Sequence, residues 1–313
     1  MPPVPHPFHR HVFQAMGSPC EIQLHAKDEG RIHAAIQAVV SDVARLEARY
    51  SRYRHDSELA RINQVASAGG SICVDDETRY LLDYADTCYQ HSGGLFDITS
   101  GVLRQAWRFD SGCLPEATQI EALLEKVGWH RLRWEPPRLE FPVAGMALDL
   151  GGIVKEYAAD RAAVLCQNLG IAHGYINLGG DIRVVGPHPD GRPWRLGIQH
   201  PRQPGQLIHT LELRHGGLAS SGDYARCMVV DGIRYGHILD PTSGWPVQEL
   251  AAVSVWAEWC VVAGSASTIA MLKGKEGLTW LNHLGLAHYW VDGQGQTGES
   301  GFQASSPAIS RNQ

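Results

Sequence analysis

Polar and apolar residues alternate along CEIQLHA, residues 20–26, as in a half-buried strand, and VFQAMG just before it forms the other arm of a hairpin. The period then changes. After Asp28, suited to a helix N-cap, Ile32, Ile36, Val39, Val43 and Leu46 recur at spacings of four, three, four and three, which predicts one long amphipathic helix. A second helix starts at Asp75-Asp76, turns Leu81, Leu82 and Tyr84 inward and stops at Gly93-Gly94; a third covers residues 116–127. RLRWEPPRLEF reads as two short strands separated by prolines, which a central ladder would not accept.

MALDL, GYINLG, IRVVG and WRLGIQ are expected strands, with one helix over Lys155–Leu169 among them. HTLELR, RYGHIL and AAVSVW are further strands, and residues 260–272 and 276–283 further helices. Because strands and helices are partly segregated, the pattern predicts an α+β fold with mixed or antiparallel sheets flanked by helices. We expect a single domain over residues 1–313, with tails at 1–11 and 293–313.

Composition narrows the functional classes. Hydrophobic residues make up 44% and charged residues 19%, as in an ordinary globular protein. The net charge of −6 and the absence of a Lys/Arg run leave no electrostatic footprint for nucleic acid or anionic lipid. Seven scattered cysteines form neither a CxxC motif nor a disulfide framework, which fits a reducing compartment. MPPVPHPFHRHVF has no apolar core of a signal peptide. The longest uncharged apolar run, WCVVAGSASTIAML, is too short to span a bilayer, so a cytoplasmic protein with no transmembrane segment is expected.

Candidate chemistry gathers at glycine pairs: Gly93-Gly94, Gly151-Gly152, Gly179-Gly180 and Gly216-Gly217. Each can be plain turn geometry. Gly151-Gly152 has a second possibility, since it lies between an expected strand and a helix N-terminus, where free N–H groups favour phosphate. Neither GxGxxG nor GxxxxGK[ST] occurs, so Rossmann and P-loop sites are unsupported. Asp97, Asp149, Asp181 and Asp240 stand at or near these or similar turns, where an Asp is commonly a local cap. His237, before Asp240-Pro241, could be a general base or a phosphate donor, or a structural hydrogen-bonder.

As a set, MGSPCEIQL, YSRYRHDSELARIN, GGLFDITSGVL, LDLGGIVKEYAADRA, NLGGDIRVVG, ASSGDYAR, YGHILDPTSGWPV and AGSASTIAM resemble, in order and spacing, the ApbE-like FAD:protein FMN transferases over residues 12–292. The resemblance implies cleavage of FAD with a divalent metal, usually Mg²⁺, transfer of FMN to a Thr or Ser hydroxyl of a partner protein, and release of AMP. By motif it implies that Met16, Tyr53, Leu95, Phe96, Asp97 and Tyr157 contact the flavin nucleotide. Gly151 and Lys155 would meet its pyrophosphate, and His237 would act as base or phosphoryl donor, with Asp240 orienting its loop.

The resemblance also implies a metal held by a carbonyl, here that of Val154, and by an Asp and a Thr four residues apart on one helix. The Thr is Thr268, but the Asp position holds Gly264. The family's Lys-Gly is Lys155-Glu156 here, so Glu156 is expected to supply the missing carboxylate. The substitution leaves two other outcomes open: an FAD pyrophosphatase releasing FMN and AMP, and a protein that binds FAD without catalysis.

Overall fold

The computed structural model describes residues 8–302. Its first hairpin joins β1 (Phe8–Ala15) to β2 (Ser18–His25) through Met16 and Gly17, both left-handed with φ of 52° and 71°. A two-residue turn of that hand matches the twist of its strands. Helix α1 (Glu29–Tyr50) is capped by Asp28, whose side chain accepts from the Arg31 N–H, and it buries Ile32, Val39, Val43 and Leu46. Helix α2 (Glu58–Ala68), absent from the expected pattern, is capped by Ser57 and buries Leu59, Ile62 and Ala66. After β3 (Gly70–Cys73), α3 (Asp76–Ser92) runs from its Asp75 cap to Gly93 in the left-handed conformation. A 3-10 helix, Ile98–Gln105, and α4 (Ala117–Leu124) follow.

Strands β4 (Arg133–Glu135) and β5 (Arg138–Phe141) flank Pro136-Pro137 as expected and form a small antiparallel sheet with β3. The remaining elements are α5 (Val154–Asn168), β6 (His173–Leu178), β7 (Asp181–Gly186), β8 (Trp194–Gln199), β9 (Leu207–Leu213), β10 (Gly217–Gly222), β11 (Cys227–Val230), β12 (Ile233–Gly236), β13 (Leu250–Ala257), α6 (Cys260–Lys273), α7 (Lys275–His283), β14 (His288–Asp292) and β15 (Thr297–Ser300).

Eight strands make the main sheet, in the order β1-β2-β6-β7-β10-β13-β14-β15, and every neighbouring pair is antiparallel. Apolar residues of α1, α5 and α6 pack on one face with Ile22, Leu24, Ile176, Val253 and Val255. The β8–β9 hairpin covers the other face, where Trp194, Leu196, Ile198, Leu211 and Leu213 meet Ile182, Val184, Leu218 and Val291. The α+β class holds, with antiparallel sheets. No helix among the described residues is long and apolar enough to cross a membrane.

Three expectations need correction. MALDL is buried at alternate positions, but it is not a strand. Its backbone is claimed elsewhere: Asn63 Oδ1 accepts from the Leu148 N–H at 2.7 Å, Asn63 Nδ2 donates to the Leu148 carbonyl at 2.9 Å, and the Asp149 N–H donates to the Ile98 carbonyl at 2.8 Å. In RYGHIL the strand ends at Gly236, so His237 lies beyond it, followed by an isolated bridge between Leu239 and Pro246. The expected tails also enter the fold where described, because β1 begins at Phe8 and β15 covers Thr297–Ser300, each completing one edge of the sheet.

Candidate active site

A cavity of about 970 Å³ opens where the β1–β2 turn, the segment after α1, the 3-10 helix, the start of α5, the β6–β7 turn, the end of β10 and the segment after β12 meet. The volume is at the upper end of the range for small-molecule sites. Met16, Tyr53, Leu95, Phe96, Asp97, Gly151, Val154, Lys155, Glu156, His237 and Thr268 all line it. Residues far apart in the chain therefore share one wall, as the motifs required.

Met16 projects from a turn whose left-handed backbone is uncommon for a residue with a Cβ, a strain held in place by the flanking strand pair. Tyr53 is 72% exposed; its hydroxyl accepts from Arg226 Nη1 at 3.3 Å and its ring lies 5.7 Å from the Arg52 guanidinium. Its open ring face is available for stacking. Phe96 is buried, and its ring edge is 3.5 Å from where a Cβ on Gly152 would stand, an ordinary van der Waals distance.

Three residues have duties different from those expected. Asp97 lines the cavity, yet Oδ1 accepts from the Thr99 N–H and hydroxyl at 2.8 and 2.6 Å, and Oδ2 accepts from the Trp129 N–H at 2.8 Å. It caps the 3-10 helix and ties it to the chain around Trp129. The Gly151 N–H, expected to face phosphate, donates to Asp149 Oδ1 at 2.9 Å. Tyr157 is outside the cavity lining: its ring lies 5.9 Å from Tyr80 and 5.7 Å from the Arg161 guanidinium, and its hydroxyl reaches Glu77 at 3.5 Å. Helical spacing explains this, since adjacent helix residues point about 100° apart, and Lys155 and Glu156 take the inward positions. Asp240 is outside the lining and, in keeping with a loop-orienting role, closes its own turn, with Oδ1 accepting from the Thr242 N–H and hydroxyl at 2.7 Å each.

Charge is concentrated on the cavity wall. Asp149 Oδ2 pairs with Arg52 at 2.7 Å and Arg104 at 3.0 Å. Burial would raise the Asp149 carboxyl, but Arg104, Arg52 and the Gly151 N–H outweigh it and hold the group below the usual carboxylate range. Lys155 Nζ pairs with the buried Asp181. Burial opposes the ammonium charge there, and Asp181 with Glu156 more than restores it. Burial, and then the charge of Asp181, push Glu156 upward against the pull of Lys155. Glu156 Oε2 has no hydrogen-bond partner.

His237 is pushed down to about 4, first by burial and then by Arg104 and Arg226, so the ring is neutral near pH 7. Its Nδ1 has no hydrogen-bond partner. On the cavity wall, the Thr268 hydroxyl meets Ser221 Oγ at 2.8 Å, which in turn meets Ser267 Oγ at 2.8 Å. Arg52, Arg104 and Arg226 were not anticipated, because no motif spacing marks them; long cations reach this wall from three separate segments.

The fold and site define a class: an α+β protein on an antiparallel sheet, with one large cavity carrying an aromatic face, several cations, a neutral histidine and a buried acid. The chain belongs to the ApbE family, whose model matches residues 16–290. It is 32% identical to an FAD:protein FMN transferase of Vibrio cholerae, covering 72% of this chain and 69% of that protein. It is 29% identical to one of Haemophilus influenzae, covering 79% and 73%. The crystal structure of the ApbE protein from Thermotoga maritima aligns with TM-score 0.85 at 28% identity, covering 94% of this chain and 97% of that one. That of the Pseudomonas stutzeri flavinyl transferase ApbE, apo form, aligns with TM-score 0.84 at 29% identity, covering 96% of each.

Proposed function

We propose that this protein is an FAD:protein FMN transferase: an acceptor Thr or Ser hydroxyl attacks the FMN phosphorus of FAD, a phosphoester forms, the pyrophosphate bond breaks and AMP leaves. The observation that carries this is the convergence of Met16, Tyr53, Phe96, Lys155, Glu156, His237 and Thr268 on one cavity within a family-wide fold. Met16, Tyr53, Leu95 and Phe96 give the ring systems apolar and stacking surface. Lys155, already charged by its pairing with Asp181, faces the pyrophosphate, and Arg52, Arg104 and Arg226 add positive potential nearby.

His237 takes the hydroxyl proton. In the free protein its ring is neutral, the form a base requires, and an adjacent dianionic pyrophosphate raises its proton affinity toward the working range. Asp149 and Asp97 hold the surrounding loops.

A divalent cation, expected as Mg²⁺, fits between the start of α5 and the middle of α6. Val154 and Thr268 line the cavity there, the buried Glu156 oxygen lacks a partner, and hard cations favour such oxygen donors. Val154 would contribute its carbonyl and Thr268 its hydroxyl. When bound, the cation screens the pyrophosphate charge that would otherwise repel the nucleophile. Seven cysteines without a disulfide support the cytoplasm as the compartment.

The test is to incubate the protein with FAD, Mg²⁺ and a Thr-bearing acceptor protein and to follow flavin by in-gel fluorescence and mass spectrometry. FMN covalently on the acceptor is expected. Free FMN and AMP with an unlabelled acceptor would make the protein a pyrophosphatase, and intact bound FAD a binding protein.

A further inference from the structure

Gly264 lies inside α6, where a glycine costs about 1 kcal/mol relative to alanine. Its surroundings give the reason. A Cβ at this position would stand 2.5 Å from Glu156 Cγ, 2.9 Å from Cδ and 3.0 Å from Oε1. The Glu156 side chain therefore crosses from α5 over the bare Cα of Gly264 and occupies the volume that a side chain at 264 would need. Thr268 is one turn further along α6 on the same face, so the Glu156 carboxylate and the Thr268 hydroxyl flank one stretch of cavity wall.

Glu156 is 7% exposed and Asp181 2% exposed, and Lys155, the cation next to both, is paired to Asp181. Two buried acid groups thus share one ammonium, and Glu156 Oε2 has no hydrogen-bond partner. A buried acid is held in its charged form only where it is paired or bound to metal, and a cation beside the unpartnered Glu156 oxygen would do this.

We propose that Glu156 is the acidic ligand of the divalent cation and that positions 156 and 264 act as a single acid position: an acid can stand on α5 or on α6, but the two cannot fit together. The inference rests on the metal-dependent reaction proposed above and adds which residue carries the charge. It also explains why α6 tolerates a helix-interior glycine.

Mn²⁺ binding to the full-length protein, read from the electron paramagnetic resonance of free Mn²⁺ with ADP present as a flavin-free pyrophosphate, tests the assignment without turnover. Glu156→Gln should weaken Mn²⁺ binding roughly tenfold or more. Gly264→Asp alone should lower Tm without tightening binding, because the new side chain meets Glu156. The double variant Glu156→Ala, Gly264→Asp should bind at least roughly fivefold more tightly than Glu156→Ala, the acid having moved to the other helix. Wild-type affinity in Glu156→Gln, no gain in the double variant, or no Mn²⁺ binding by the wild type would each overturn the proposal. Should Glu156→Gln fail to fold, the comparison of the double variant with Glu156→Ala still decides. Flavin fluorescence quenching by the wild type is scored separately, so loss of FAD binding would count against the flavin function and not against the ligand assignment.

Discussion

Helix α6 carries Thr268 and Gly264, yet its own N-cap, Trp259, supplies no side-chain hydrogen bond. Asp160 of α5 does this from a distance: Oδ1 accepts from the Cys260 N–H and Oδ2 from the Val261 N–H, each at 2.9 Å. Arg183 Nε lies 3.1 Å from the same carboxylate. Asp160 and Arg183 are 5% and 7% exposed, so water cannot replace these contacts. Replacing Asp160 with alanine removes a cap, which costs about 1 kcal/mol. It also leaves two buried N–H groups unsatisfied and Arg183 without its carboxylate, and breaking a buried pair in this way costs about 3–5 kcal/mol. These costs overlap. Arg183 keeps the Glu258 carbonyl and the face of Trp259 at 4.9 Å, which moderates the loss. The expected destabilisation of Asp160→Ala is therefore about 3 kcal/mol. Urea unfolding followed by tryptophan fluorescence measures it, and Asp160→Asn, which keeps one acceptor, should lose about half as much. A loss below about 1 kcal/mol in the alanine variant would refute the view that this carboxylate locks α6 to α5. Because α6 carries Thr268, Asp160→Ala should also weaken Mn²⁺ binding while the protein remains folded.

Histidine ring NMR on the FAD-free protein should place the His237 midpoint near pH 4, and a midpoint at 6 or above would contradict its burial beside Arg104 and Arg226. Between the usual 6.5 and about 4 the unfolded chain takes up this proton and the folded chain does not, so the His237 contribution to stability is intact above that window and is lost as pH falls through it. Asp97→Ala should cost about 2–3 kcal/mol in urea unfolding, because the Thr99 and Trp129 N–H groups lose their acceptor; a change within about 0.5 kcal/mol would return Asp97 to a purely ligand-binding role. Tyr157→Phe should leave FAD affinity within about twofold of wild type in a fluorescence titration, since Tyr157 is outside the cavity lining; a larger loss would place its hydroxyl in the site.

Much of the architecture was legible along the chain, because helix and strand periodicity are local properties. The Ile32 to Leu46 stripe, the Asp28 and Asp75 caps, the Pro136-Pro137 turn and the Gly93 stop each depend on residues a few positions apart. The candidate site was legible to a similar degree: Met16, Tyr53, Phe96, Lys155, Glu156, His237 and Thr268 were all nameable, and the fold brings them to one cavity.

What the sequence could not determine was which partner each group finds. MALDL has a strand's alternation, but a strand exists only where another backbone offers a ladder, and Asn63 takes that place. Asp97 and Gly151 have the right chemistry for a ligand, yet other protein groups claim their hydrogen bonds first. Tyr157 is adjacent to two site residues and still faces away, because a helix turns between them. Conversely, nothing local links Glu156 to Gly264, 108 positions later. Sequence named an extra acid and a missing one; only the crossing of α5 and α6 puts the first in the space left by the second, since two side chains cannot share one volume.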